Sequence, residues 1–84
     1  MNNKILIELI VPDIDEKYDV YIPINKKIGN IIILLSKVVG ELNPDEYIEN
    51  NHNGLYDGET GSKYTINDLV KNTNIKNGSK LILM

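Results

Sequence analysis

One stretch limits the fold more than any other. In "NKKIGNIIILLSKVVGELNP" the apolar residues Ile28, Ile31, Ile32, Leu35, Val38, Val39 and Leu42 recur at intervals of three and four. At about 100° per residue they fall within one arc of roughly 120°. The stretch predicts an amphipathic helix of about four turns, ended by Gly40 or by the Asn43-Pro44 pair. Its many β-branched residues have poor intrinsic helix propensity, so packing must hold it.

The rest of the chain reads mainly as short extended segments and turns. "KILIELIVP" sets Ile5, Ile7, Leu9 and Val11 on one face of a strand and Leu6, Glu8 and Ile10 on the other. "DIDEK" is a hairpin loop. "YDVYIPI" alternates again, and Pro23 cannot donate to a ladder, which puts this strand at a sheet edge. "DEYIEN" could form a third strand, with Tyr47 and Ile48 competing for the inward position. "NHNGLYDGETGSK", with three Gly and several turn formers, is read as a short strand or turns, and "YTINDLVKNTNI" as a short helical turn capped by Thr65 or Asn67. Asn77-Gly78 is a strong turn signal before a last strand, "SKLILM".

Composition removes several kinds of protein. There is no Cys and one His, so thiolate chemistry and thiolate or histidine metal sites are not expected. The formal net charge is −3 and all nine basic residues are Lys, which argues against nucleic acid as a partner. No apolar run approaches the roughly 20 residues of a membrane span, and no signal-peptide layout is present. A soluble cytoplasmic protein, without direct membrane insertion, is expected.

The order strand, strand, helix, strand, turns, short helix, strand resembles the ubiquitin-like β-grasp proteins. The residues that carry the resemblance are the opening hairpin, the helix after Pro23, "NPDE" after that helix, "LYDGET" at Leu55–Thr60, and "YTINDL…NIKNGSKLIL". Within that superfamily the chain is similar to the small YukD/EsaB-like proteins of bacterial type VII secretion systems. Those begin on an I-x-I-[DE]-L strand, here Ile5 to Leu9, and end on an N-G-x-x-L-x-[IL] strand, here Asn77 to Leu83. The resemblance implies an α+β fold, a β-grasp roll. Its mixed sheet of four to five strands packs on one main helix, and residues 1–84 form a single domain. It also implies a non-conjugated accessory protein working beside a membrane translocation machine. Ubiquitin and the sulfur carriers extend past the last strand to a Gly-Gly terminus, whereas here the strand ends at Met84. A carrier function is therefore not expected.

Nothing in the residues points to catalysis. Asp13, Asp15 and Glu16 cluster in a loop too short for a calcium site and are read as a solvated tip. Asp57 lies in a turn, His52 has no nucleophile beside it, Lys26-Lys27 flank the helix, and Asn77-Gly78-Ser79 is a glycosylation triplet in a cytoplasmic chain. No cofactor or metal is expected.

Two surface features point to a protein partner. In a β-grasp sheet the first and last strands are parallel neighbours. If Ile5, Ile7, Leu9, Leu81 and Leu83 face the helix, then Leu6, Ile10, Ile82 and Met84 face out together as an apolar patch. On the helix, Gly29, Ser36 and Gly40 lie on one flank with Ile33 projecting nearby, a strip that could seat a partner helix. The expected function is a non-catalytic accessory or regulatory factor of a type VII secretion system. It would dock through the open sheet face onto a secretion ATPase or another secretion component. A carrier-type protein and a self-associating structural module, a homodimer through the same patch, remain as alternatives.

Overall fold

A computed structural model of the chain describes residues 3–47 and 53–84. Strand β1 (Lys4–Val11) turns through a short 3₁₀ segment (Pro12–Ile14) into β2 (Glu16–Pro23). Helix α1 (Ile28–Leu42) follows, then β3 (Leu55–Asp57), a second 3₁₀ turn (Val70–Asn72) and β4 (Lys80–Leu83). The sheet order is β2-β1-β4-β3. β1 is antiparallel to β2 and parallel to β4, and β3 is antiparallel to β4. Among the described residues this is a mixed four-stranded sheet covered on one face by one helix, the β-grasp architecture. No described helix is long and apolar enough to cross a membrane.

Alternation decides which face of the sheet is covered. Ile7, Leu9 and Val11 of β1, Ile22 of β2, Leu55 of β3 and Leu81 and Leu83 of β4 are buried against Ile28, Ile31, Leu35 and Val39 of α1. Fully burying each such side chain contributes about 1.5–3 kcal/mol. This is what holds a helix whose β-branched residues favour it poorly.

The start of α1 carries no capping side chain, since Lys27 occupies that position without one. Its first N–H groups are satisfied from elsewhere. The Ile28 N–H donates to the Asp68 carbonyl at 2.8 Å and the Gly29 N–H to the Ile66 carbonyl at 2.9 Å. The turn 65–68 thus does the work of a cap. The next residues continue the seam, with the Val70 N–H on the Lys26 carbonyl and the Lys71 N–H on the Ile24 carbonyl.

Several expectations need correction. Of the short strand or turn expected around Leu55–Asp57 the structure has the strand, because β4 lies alongside as its partner. The "DEYIEN" strand is not present at 45–47. Asp45 and Glu46 lie in a turn, Tyr47 is buried, and Ile48–Asn50 fall outside the described residues. Neither Thr65 nor Asn67 caps the short helical turn, which begins after Leu69 without a side-chain cap. Leu42, expected in the core, is 59% exposed, and Val38 is half-buried. Both sit on the flank of the stripe that also carries the exposed Leu34, to one side of the fully buried set.

Candidate docking face

The uncovered face of the sheet carries Leu6, Glu8 and Ile10 from β1, Lys17, Asp19 and Tyr21 from β2, Lys80 and Ile82 from β4, and Tyr56 from β3. The pairing register sets their neighbours. Ile10 stands beside Ile82 in the parallel pair, and Ile82 stands opposite Tyr56 on its other side. Ile10, Ile82 and Tyr56 are half-buried by one another. Met84 follows two residues on from Ile82, bonded through its backbone to Gly54, and is 49% exposed. These residues form one apolar strip across three strands. Lys17 lies opposite Ile10 at one end, and the Lys63 Nζ stands 6.0 Å from the centre of the Tyr56 ring at the other.

Leu6 belongs to a different group. Two positions back along β1, it is separated from Ile10 and Ile82 by the row in which Glu8 pairs with Lys80. Its direct neighbour is Tyr21, and it is 36% exposed. On its other side the chain is no longer a strand. The Gly78 N–H donates to the Leu6 carbonyl at 2.8 Å, and the Leu6 N–H donates to the Asn77 side chain at 2.8 Å. Gly78 has φ of 87° there, a conformation that glycine adopts without strain. Of the four residues expected as one patch, Ile10, Ile82 and Met84 thus lie in the strip, and Leu6 stands apart beside Tyr21.

The helix strip does not form an open surface. A Cβ added at Gly29 would stand 3.3 Å from the Ile66 carbonyl oxygen, so the 65–68 turn already fills that place. Ser36 is only 6% exposed, and its hydroxyl accepts a hydrogen bond from the Asn53 side chain at 3.1 Å. Gly40 is half-buried and Ile33 alone projects. Small residues line this flank because other parts of the chain approach it closely.

Asp57 has no catalytic setting. One carboxylate oxygen accepts the Glu59 N–H at 2.8 Å, and the other accepts the Asn74 side-chain amide at 3.1 Å. The Glu59 amide, then Asn74, holds this carboxyl below its ordinary range. The Tyr64 hydroxyl donates to the same Asn74 at 2.7 Å. Burial, then the nearby Asp57 charge, pushes that phenol up to about 12. Both groups are held in the protonation state they already have at neutral pH, which suits a clamp between two loops rather than proton transfer. Among the described residues no group of three His, Cys, Asp or Glu could hold a metal ion. Asp13 and Asp15 are exposed at the hairpin tip, and His52 lies outside the described residues.

Tyr21 and Tyr56 complete the open face and were not singled out in the sequence. Tyr21 has the same outward parity as Leu6 once the hairpin register is known. Tyr56 had no signal, because a segment open between short strand and turn assigns no outward face.

No family model and no curated protein matches the chain. Solved structures do match over its whole length. The ubiquitin-like domain of EccD5 from Mycobacterium xenopi superposes with a TM-score of 0.83 at 17% identity, covering 99% of this chain and 94% of that domain. The ubiquitin-like domain of the type VII secretion protein EccD1 from Mycobacterium tuberculosis gives 0.75 at 12% identity, covering 99% and 98%. A chain of the MycP5-free ESX-5 inner membrane complex gives 0.81 at 12% identity, and there this chain spans only 21% of the longer one. At such identities the likeness establishes the ubiquitin-like fold.

Proposed function

We propose that the chain is a non-catalytic ubiquitin-like accessory module of a bacterial type VII secretion system. In this reading it is cytoplasmic and acts by docking its open sheet face onto a protein of the secretion machine. The observation that carries the reading is the end-to-end likeness to the EccD ubiquitin-like domains, together with the likeness to a chain of an assembled ESX-5 inner membrane complex. The sequence resemblance to the YukD/EsaB-like proteins points the same way. The open face supplies a surface of suitable chemistry, an apolar strip of Ile10, Ile82 and Met84 extended by Tyr56, with Leu6 beside it as a second contact. The cytoplasmic part of a secretion ATPase is the partner this reading favours.

The test is an amide NMR titration of the labelled protein with the purified cytoplasmic domain of the ATPase from its own secretion locus. Shifts confined to β1, β3 and β4 support the reading. A spectrum unchanged at high partner concentration sinks it. The double variant Leu6→Asp, Met84→Asp separates docking from folding, since both side chains are exposed. It should lose binding while its melting temperature moves by only a few degrees. A collapse in melting temperature would instead assign these residues to the core.

A further inference from the structure

Three of the six glycines follow an asparagine or an aspartate, in Asn53-Gly54, Asp57-Gly58 and Asn77-Gly78. Such pairs are chemically labile in a free chain. Glycine has no Cβ to shield its amide nitrogen, and that nitrogen can attack the Cγ of the preceding side chain to close a succinimide ring. The attack requires the glycine N–H to lose its proton. A proton donated to a carbonyl must first leave that hydrogen bond, the same opening that amide hydrogen exchange requires.

The fold ties down all three nitrogens. The Gly54 N–H donates to the Met84 carbonyl at 2.7 Å, the Gly58 N–H to the Lys80 carbonyl at 2.7 Å, and the Gly78 N–H to the Leu6 carbonyl at 2.8 Å. The first two acceptors belong to β4 and the residue that follows it. The third belongs to β1, beside which the Asn77-Gly78 turn delivers β4, with Glu8 in register with Lys80. Release of β4 from its two neighbours therefore frees all three nitrogens together.

The pairs differ in what else protects them. Gly54 is buried, and the Asn53 amide is held by the hydroxyls of Ser36 and Tyr47. Gly58 is half-buried against the backbone of Lys80. Asp57 reacts only when protonated, and the Glu59 amide, then Asn74, hold its carboxyl below the ordinary range. Asn77 and Gly78, by contrast, are exposed to water. One residue holds them both. Leu6 donates its N–H to the Asn77 Oδ1 at 2.8 Å and accepts the Gly78 N–H on its carbonyl. The attacking nitrogen and the group it would attack are thus engaged by the two ends of Leu6.

We propose that Asn77 is a site of self-modification gated by β4. It converts to aspartate or isoaspartate, without an enzyme, when β4 leaves the sheet, and the isoaspartate form keeps the strand from returning. The Gly78 nitrogen gives its proton to solvent base and bonds to the Asn77 Cγ. The side-chain Cγ–N bond breaks, and the amine takes a proton from solvent and leaves as ammonia. Water then opens the ring. Breaking the new bond to Cγ gives aspartate, and breaking the original peptide bond of Asn77 gives isoaspartate. Nothing is oxidised or reduced. Aspartate still offers the Leu6 N–H an acceptor. Isoaspartate runs the main chain through its own side chain and lengthens it by the methylene. Gly78 and Lys80 then cannot both regain their places beside Leu6 and Glu8. Ile10 and Ile82 meet across the same junction, so this step also takes the open sheet face apart. The proposal does not depend on the secretion reading.

The test compares the whole chain with a blocked synthetic peptide of residues 74–80 in the same mildly alkaline buffer. Mass spectrometry and chromatography follow the aspartyl and isoaspartyl products, and hydrogen exchange is measured at the glycine amides. Asn77 should convert at least about tenfold more slowly in the chain than in the peptide, and by the factor that slows exchange at Gly78. Exchange at Gly54, Gly58 and Gly78 should report one shared opening, and sub-denaturing guanidinium should raise conversion and exchange in parallel. Asn77→Asp should melt like the parent chain, whereas the purified isoaspartate form should melt well below it. Conversion in the chain at the peptide's rate overturns the proposal. Exchange at Gly78 well ahead of Gly54 and Gly58 also overturns it, because the turn then opens without β4. So does an isoaspartate form that melts like the parent.

Discussion

The two flanks of α1 differ in a way that runs against first impressions. One is built from small residues, Gly29, Ser36 and Gly40, with the 65–68 turn against Gly29 and Asn53 against Ser36. The other is built from Leu34, Val38 and Leu42 and stays largely open. A strip of small side chains invites interpretation as a seat for a partner helix. Here the small residues exist because the chain itself comes within contact distance. The large apolar residues mark where the described part of the chain leaves the helix exposed.

The largest effects should come from the stripe between the two flanks. Leu35→Ala empties a fully buried position and should cost about 2–5 kcal/mol, read by denaturant unfolding. Leu34→Ala, one residue away on the open flank, should cost less than about 1 kcal/mol. Equal losses would mean that the open flank is covered after all.

Next in size is Gly29→Val. It forces a branched side chain against the Ile66 carbonyl and should cost about 1–3 kcal/mol. It should also speed hydrogen exchange at Ile28 and Gly29, whose N–H groups depend on that turn. If Gly29→Val proved neutral, the closed flank would be loose.

The smallest effect is one of pH. Tyr64 leads directly into the turn that closes the small-residue flank, and its phenol is raised from 10.0 to about 12. A raised value means that the folded chain holds this proton more tightly than the unfolded one. The stability it contributes is complete below pH 10 and is lost as pH rises from 10 toward about 12. Tyr64→Phe should flatten the alkaline slope of the melting temperature over that interval. Asp57 works in the other sense. Its lowered value contributes stability above the ordinary carboxyl range that is lost as pH falls through its folded value, and Asp57→Asn should reduce the acid slope.

Much of the fold was legible because it rests on repeats of two or of three and four. The alternations in Lys4–Val11 and Glu16–Pro23 and the stripe of Ile28 to Val39 each span enough residues to reveal their period. Pro23 placed its strand at the edge, where β2 is found. β3 was not legible. Three residues cannot display an alternation, and Leu55–Asp57 sit among glycines and turn formers. Their strand character comes from β4, to which Leu55 is joined opposite Leu83. The candidate face was legible in parity but not in register. That Leu6, Ile10, Ile82 and Met84 share an outward direction follows from counting by twos. That Glu8 and Lys80 stand between Leu6 and the rest depends on how two distant strands are staggered. Periodicity likewise gave Val38 and Leu42 the correct angle on the helix, but it carries no information on what lies across from them.

The pairing of β1 with β4 has a consequence for the order in which the protein can be made. The two central strands of the sheet are its first and its last, with Glu8 in register with Lys80. A chain emerging from the ribosome can form the β1–β2 hairpin early, since its contacts are local. The second edge of β1 then has no partner until Lys80–Leu83 has been synthesised. Closing so long a loop is slow relative to local contacts. During that interval Leu9 and Val11 lie on an unfinished sheet, with an open row of backbone groups beside them. Translation speed over the long stretch between β2 and β4, rather than the stability of the finished domain, would then set how long the nascent chain is exposed to aggregation.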